Sequence, residues 1–376
     1  MDFSLLIEQI TRGFTEFTWG NGLMIFVGIV LVALAVIKEY EPVLLLPIGF
    51  GCILANLGMS TDVQGGLTYW LYKAGIETEL FPLLIFVGVG AMIDFRPLLA
   101  MPQMVLLGAA GQFGIYGVLI LATLMGYPLN QAASIGIIGA IDGPTAIFVA
   151  SKLAPEMLGP IAVAAYSYMS LIPIIQPPIM RLMTTRKERM IRMEYAPKPV
   201  SSRAVILFPI VVTIMVSLIA PDAAPLIATL MMGNLLKESG VVDRLSKAAQ
   251  NEIINIATLF LGLAIGATMT ADAFLRLETL GIMLLGALAF VLDTVAGLGF
   301  GKLMSLVTGG KVNPLIGACG ISAFPMAGRL SAKMALEEDF DNFILMHAMG
   351  SNTAGQLGSV IAGGLLLALV SGILHL

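Results

Sequence analysis

The 376-residue chain is 58% hydrophobic and only 12% charged, with a mean hydropathy of +0.94; a soluble domain of this size carries roughly a quarter charged residues. That composition excludes an ordinary soluble enzyme and specifies an all-α polytopic membrane protein in a lipid bilayer. The net charge of −4 says nothing of a nucleic-acid partner, and none is expected.

Residues 3–18 place Phe3, Leu6, Ile7, Ile10, Phe14 and Phe17 on one helical stripe, with Glu8, Arg12 and Glu16 elsewhere. This predicts an interfacial amphipathic helix over residues 1–20 rather than a cleaved leader. A first membrane repeat follows over 21–183, with apolar spans expected near 21–37, 43–57, 80–94, 103–125 and 158–183. Between the last two lies a Gly/Pro-broken segment, 131–154. A basic linker over 184–203 leads to a second repeat, 204–376. Its spans are expected near 204–220, 223–237, 251–268, 279–305 and 342–374, with a broken segment at 313–335. Cys52 and Cys319 lie far apart in apolar segments and read as core residues.

The two parts repeat one another. An offset of 181 pairs Ile135-Gly136 with Ile316-Gly317, Gly139 with Gly320, Pro144 with Pro325, Lys152 with Lys333 and Glu156 with Glu337. If each broken segment is re-entrant, each half crosses five times and the repeats are inverted; if it crosses fully, they are parallel. The stretch 181–203 carries Arg181, Arg186, Lys187, Arg189, Arg192, Lys198 and Arg203 against Glu188 and Glu194, and basic loops face the cytoplasm. Five crossings also put Lys38, Arg96, Lys237, Lys302 and Lys311 inside, and Asp62, Glu77, Glu79 and Asp222 outside. The expected architecture is therefore two inverted repeats, whose broken segments meet near the midplane.

The sharpest chemical feature is Gly136-Ile137-Ile138-Gly139-Ala140-Ile141-Asp142-Gly143-Pro144-Thr145. Proline removes a backbone donor and glycine relaxes the helix, so a break here frees carbonyls beside a carboxylate. Oxygen-rich backbone next to an acid suits Na⁺, and an acid within an apolar segment is a functional candidate; the alternative is an Asp that merely caps a half-helix. The partner segment supplies Asn313, Gly317, Ser322 and Arg329, with no carboxylate. Arg329 is expected either to neutralise Asp142 or to hold an anionic substrate. In the last span of each half, Tyr166-Ser167-Tyr168 aligns with Gly350-Ser351-Asn352; Tyr168 is expected to bond Asp142 or relay a proton. Asp293 is a second cation-site candidate, whereas Asp94 and the lone His347 read as structural. No nucleotide-binding loop, HExxH, CxxC or supported GxSxG motif is present.

Longer strings resemble the β subunit of the biotin-dependent, sodium-pumping decarboxylases, which serve oxaloacetate, methylmalonyl-CoA or glutaconyl-CoA. They are Lys38-Glu39-Tyr40-Glu41-Pro42, Leu46-Pro47-Ile48-Gly49-Phe50-Gly51, Gly88-Val89-Gly90-Ala91-Met92, Asp142-Gly143-Pro144-Thr145, Ala164-Ala165-Tyr166-Ser167-Tyr168-Met169, Ile174-Ile175-Gln176-Pro177-Pro178-Ile179-Met180-Arg181, Val241-Val242-Asp243-Arg244-Leu245, Asn313-Pro314-Leu315-Ile316-Gly317 and His347-Ala348-Met349-Gly350. The resemblance implies decarboxylation of carboxybiotin coupled to outward Na⁺ transport and proton uptake, in a bacterial or archaeal cytoplasmic membrane. It implies Asp142 as the acid alternating between Na⁺ and H⁺, with Tyr168, Asn313, Gly317, Ser322 and Asn352 on the cation pathway and Arg329 meeting carboxybiotin. It also implies partners: a carboxyltransferase α subunit, a biotin carrier, a small γ/δ membrane subunit and further copies of the β chain. Ala332-Lys333-Met334 lacks the Met-Lys-Met of a biotin acceptor, so biotin is supplied by a partner. Gly139-Ala140-Ile141 departs from the family's Gly-Gly-Ala, and Ser351 stands where Pro is usual. The rival reading is a secondary Na⁺/solute symporter or cation–proton antiporter, which the repeat and Asp142 fit equally well.

Overall fold

The computed structural model describes residue 15 and residues 17–39, 42–194 and 199–374. The interfacial helix expected over 1–20 lies almost wholly outside the described residues, as do Tyr40 and Glu41 of the first motif and Lys198 of the linker. Among the described residues every regular element is helical.

The first half contains α1 (Trp19–Ile37), α2 (Pro42–Ala55), α3 (Leu80–Met92), α4 (Met104–Ala110), α5 (Phe113–Leu124), α6 (Leu129–Gly136), α7 (Gly143–Leu153) and α8 (Leu158–Met183). The second contains α9 (Ser202–Ile219), α10 (Ala224–Glu238), α11 (Ile254–Ala267), α12 (Leu277–Val307), α13 (Met326–Glu338) and α14 (Leu345–Leu374). Capping sets two of the starts. Thr18 and Asn21 form a reciprocal capping box on α1, and the Ser201 hydroxyl accepts from Ala204 N at 3.2 Å to open α9.

Among the described residues, six helical stretches are long and apolar enough to cross a membrane: Trp19–Ile37, Met104–Leu124, Ser202–Ile219, Asp243–Ala267, Leu277–Val307 and Leu345–Leu374. Two more are bent by 61°, one pairing Leu67–Glu77 with Leu80–Met92 and the other pairing Pro155–Met169 with Leu171–Met183. Ten crossings were expected, and the difference lies in α2 and α10. At 14 and 15 residues they reach only about 21–23 Å, against the ~30 Å of a hydrocarbon core.

Both short helices pack backbone to backbone on one face, while Val43, Leu46 and Phe50 of α2 and Met232 of α10 remain exposed. A Cβ on Gly90 of α3 would fall 1.8 Å from Leu230 O of α10, and one on Gly233 of α10 would fall 1.9 Å from Val87 O. The pair α2–α11 uses the same device at Gly51 and Gly266. Contacts between the halves are reciprocal: α2 packs on α11 and α10 on α3, while α8 packs on α12 and α14 on α4. Helices α1 and α9 lie outermost, with Phe26, Ile29, Val211, Ile214 and Leu218 exposed as a lipid-facing band.

The basic linker is fastened to the second broken segment. Arg189 meets Glu338 at 2.6 Å and Arg192 meets Asp339 at 2.6 Å, and just before the linker Arg181 of α8 meets Glu337 at 3.2 Å. Lys302, at the end of α12, meets Glu188 at 3.1 Å. Arg96 bridges Asp94 and Glu238, so Asp94 closes its span at a polar end, as its sequence context suggests. Cys52 and Cys319 are both buried thiols.

Candidate functional site

Helix α6 runs into a 3-10 turn over Ile137–Ala140 and stops. Ile141 takes the left-handed conformation (φ 51°, ψ 41°) and Asp142 is extended (φ −133°, ψ 99°). A β-branched residue at positive φ is strained and persists only where its surroundings enforce it, a pattern that clusters at functional sites. Helix α7 restarts at Gly143 with Pro144 in its first turn, where a missing N–H costs nothing.

Asp142 is 6% exposed and gathers four donors. Its Oδ1 faces Thr145 N at 3.5 Å. Its Oδ2 accepts from Thr145 Oγ1 at 2.9 Å, Gln356 Nε2 at 2.8 Å and Ser359 Oγ at 3.1 Å. The Asp does cap a half-helix, then, but it also draws two donors from α14, more than 200 residues away. Gly143 admits the Tyr166 ring against the same turn: a Cβ there would fall 2.0 Å from Tyr166 Cε1.

The second broken segment is a 3-10 helix over Pro314–Cys319, an irregular stretch, and then α13. The two breaks touch. Ser322 Oγ lies 2.7 Å from Ala140 O and 3.1 Å from Ile141 O, capping the carbonyls just before Asp142. Asn352 Nδ2 donates to Ile321 O at 2.7 Å, just before Ser322. Helix α14 thus serves both breaks from one face: Asn352 holds the second, and Gln356 and Ser359, one and two turns on, hold Asp142. Ile141, Ile321, Ala323, Ala327, Ile172 and Phe290 close an apolar cluster around the crossing.

The structure brings together Asp142, Ser322 and Asn352 and places the other expected residues elsewhere. Tyr168 does not bond Asp142; its hydroxyl donates to Met283 O of α12. The aromatic beside Asp142 is Tyr166. Asn313 is buried, but its Nδ2 donates to Arg189 O and Ile191 O, each at 2.9 Å, and its Oδ1 accepts from Leu315 N at 3.0 Å. It pins the linker to the start of the second segment. Gly317 makes a backbone contact with α12: a Cβ on it would fall 2.1 Å from Gly297 O. Arg329 is exposed on α13 and does not neutralise Asp142. The ion pairs at that end, to Glu337, Glu338 and Asp339, leave Arg329 and Lys333 out. Asp293 is fully buried on α12, with Oδ1 accepting from Gly114 N and Oδ2 without a hydrogen-bond partner among the described residues.

Gln356 and Ser359 escaped the sequence reading. Their signal is a polar stripe, Asn352, Gln356 and Ser359 at i, i+4 and i+7, inside an otherwise apolar span. The groups on the Asp142 carboxylate are two hydroxyls, one amide N–H and one backbone N–H; the hydroxyls can turn lone pairs towards a hard monovalent cation held beside the carboxylate.

Residues 20–370 match the family described as the Na⁺-transporting oxaloacetate decarboxylase β subunit. The chain is 53% identical over 371 residues to the methylmalonyl-CoA decarboxylase subunit β of Veillonella parvula, covering 98% of this chain and 99% of that one. It is 52% identical over 363 residues to the glutaconyl-CoA decarboxylase subunit β of Acidaminococcus fermentans, covering 96% of each. Identity to the oxaloacetate decarboxylase β chain of Klebsiella pneumoniae is 47% over 410 residues, covering 93% of this chain and 94% of that one.

Proposed function

The chain belongs to the β-subunit family of the Na⁺-transporting decarboxylases, and from that premise we propose that it decarboxylates carboxybiotin and drives Na⁺ outward through Asp142, with a proton taken up in exchange. It is a multi-pass membrane subunit of a Na⁺-transporting decarboxylase. The acyl substrate is chosen elsewhere, by a partner carboxyltransferase. A biotin carrier, a small γ/δ membrane subunit and further β chains complete the proposed assembly.

The observation that carries the mechanism is Asp142 itself, a buried carboxyl at a break, held by donors from the helix it caps and from the distant α14. A carboxylate removed from water stays charged only while a cation accompanies it. Asp142 therefore holds either Na⁺ or a proton, and the arrival of one releases the other. The hydroxyls of Thr145 and Ser359 serve both states, because each can donate to the bare carboxylate or turn a lone pair towards Na⁺. Ser322 keeps the carbonyls of Ala140 and Ile141 in place at the junction.

Carboxybiotin, when bound, supplies the decarboxylation: loss of CO₂ leaves a ureido nitrogen that must gain one proton. Residues present suit such a group. Arg329 and Lys333 lie one turn apart on α13, both exposed and outside the neighbouring ion pairs, and Arg329 offers the planar fork that fits a carboxylate. A proton released from Asp142 as Na⁺ arrives balances the charge of the reaction. The reciprocal packing of the halves supports two related repeats, and the basic linker supports placing the Arg329 end at the cytoplasm.

The test is Asp142→Asn in the assembled complex, reconstituted in proteoliposomes. Na⁺-dependent decarboxylation and Na⁺ uptake are expected to disappear together. Survival of either activity alone would refute Asp142 as the shared site.

A further inference from the structure

Each half braces the other's break with a corresponding side chain. The offset of 181 that aligns the halves maps Gln112 on Asp293 and Gly139 on Gly320. Gln112, between α4 and α5, is buried and places its Nε2 3.1 Å from Gly320 O in the second break. Asp293 of α12 is fully buried and reaches the first break from the matching position. A Cβ on Gly139 would fall 3.1 Å from Asp293 Oδ2, and one on Gly114 of α5 would fall 2.7 Å from Asp293 Oδ1. One break is thus braced by an amide and the other by a carboxyl.

The amide and the carboxyl can do the same work only if the carboxyl carries a proton. Gln112 donates an N–H to a carbonyl, whereas an ionised carboxylate can only accept. Two oxygens at this contact lack a donor. Asp293 Oδ2 has no hydrogen-bond partner among the described residues. On the turn, Ile138 O accepts from Ile141 N at 3.0 Å, and Ser322 Oγ serves Ala140 O and Ile141 O. Among the described residues Gly139 O has no such donor. Buried polar groups are almost always satisfied, and one proton on Oδ2 satisfies both oxygens.

The surrounding charge agrees. Asp142 gathers four donors, whereas Asp293 accepts one backbone N–H, from Gly114. Helices α4, α5, α6 and α8 and both 3-10 turns pack on α12. Their titratable groups are Tyr116, Tyr166, Tyr168, Arg181 and Cys319. The only cations on these elements and on α12 itself, Arg181 and Lys302, pair with Glu337 and Glu188. A lone carboxylate removed from water, with no cation to accompany it, is too costly to persist.

We infer that Asp293 holds a proton on Oδ2 and donates it in a hydrogen bond to Gly139 O, as a neutral latch that positions the break carrying Asp142. Gly139 stands three residues before Asp142, on the turn that leads Ile141 into positive φ, so loosening it moves the carboxylate. The positioning role rests on the reading of Asp142 as the coupling acid; the proton on Asp293 does not.

The test uses the assembled complex in lipid, at mildly alkaline pH and saturating NaCl, so that Asp142 is held as the Na⁺ carboxylate. Two readouts are taken: the infrared carbonyl stretch of a protonated carboxyl, and kcat for Na⁺-dependent decarboxylation. The wild type should show that band, shifted in D₂O, and Asp293→Asn should lack it. Asparagine keeps an acceptor for Gly114 N and a donor for Gly139 O, so its kcat should stay within about threefold of wild type, one donor replacing another. Asp293→Leu removes both bonds and should lower kcat about 100-fold, the factor that a misplacement of about 1 Å carries. If Asp293→Leu fails to assemble, Asp293→Ser, which keeps a donor but withdraws it from the turn, should lower kcat in the same direction. An Asp293→Asn complex as inactive as Asp293→Leu would make the ionised carboxylate the working form, and a band that survives in Asp293→Asn would put the proton elsewhere; either overturns the latch. Wild-type kcat in Asp293→Leu overturns it as well. Asp142→Asn separates the two readings: if it retains Na⁺-dependent decarboxylation, the coupling role of Asp142 fails, while the infrared band still decides whether Asp293 is protonated.

Discussion

Replacing Gly143 by Ala tests whether the turn that aims Asp142 is as tightly enclosed as its geometry indicates. The added Cβ would lie 2.0 Å from Tyr166 Cε1 and 2.2 Å from Tyr166 Cζ. Carbon atoms in contact sit about 3.5–4.0 Å apart, so either the ring or the start of α7 must yield by about 1.5 Å. The ring is fully buried, and overpacking of such a site costs about 1–3 kcal/mol. The start of α7 carries Asp142, and a misplacement of about 1 Å at reacting groups can cost a factor of about 100 in rate. Gly143→Ala should thus retain an assembled complex and lose about two orders of magnitude in Na⁺-dependent decarboxylation. Tyr166→Leu makes room for the new methyl group. In a double-mutant cycle, Gly143→Ala should cost about 1–2 kcal/mol less in the Tyr166→Leu background than in the wild type. The assay is carboxybiotin decarboxylation against Na⁺ concentration, with thermal melting in parallel. Wild-type activity in Gly143→Ala, or additive costs in the cycle, would refute the claim that the Tyr166 ring and Gly143 jointly set the position of Asp142.

Other consequences follow from the same geometry. Ser359→Ala removes one of the three donors on Asp142 Oδ2; at about 1.5–3 kcal/mol for a hydrogen bond to a charged group, activity at subsaturating Na⁺ should fall about 10- to 100-fold, as read by Na⁺ titration of decarboxylation. Gly317→Ala forces a methyl group against the Gly297 carbonyl, with backbone on both sides and no rotamer to relieve it, so melting of the complex should fall sharply. A stable variant with altered Na⁺ preference would instead make Gly317 a ligand. At the linker, Arg189 hydrogen-bonded to Glu338, and Arg192 hydrogen-bonded to Asp339, hold those carboxyls below their ordinary range. Their contribution is then fully present above the ordinary carboxylate values of about 4 and is lost as pH falls through the lowered ones. Limited proteolysis of the linker should accordingly be flat from pH 8 to about 5 and rise only in stronger acid. A rise near pH 6 would show that these pairs do not fasten it.

Much of this protein was legible because membrane physics writes itself plainly. Long apolar runs such as Leu277–Val307 must become helices, since lipid leaves backbone groups no other partner. The Ile-Asp-Gly-Pro string had to interrupt one, and the break falls at Ile141–Asp142. Length was less legible: 43–57 and 223–237 read as spans, yet α2 and α10 are only 14 and 15 residues long and pack through glycines against α11 and α3. Spacing also misled at Tyr168, where the neighbouring Tyr166 faces the turn.

By itself the sequence determined the class of the protein, its helices, its linker charge and the acid at the break, all of which follow from local composition. Only the tertiary structure decided what surrounds that acid. Gln356 and Ser359 lie more than 200 residues from Asp142 and reach it because α14 passes both breaks. Asn313 looked like a ligand in sequence and serves as a clasp for the linker. Hydrogen bonds are satisfied by whatever is near in space, and an amide in sequence does not reveal which carbonyl its nitrogen will find or which way its oxygen will then face.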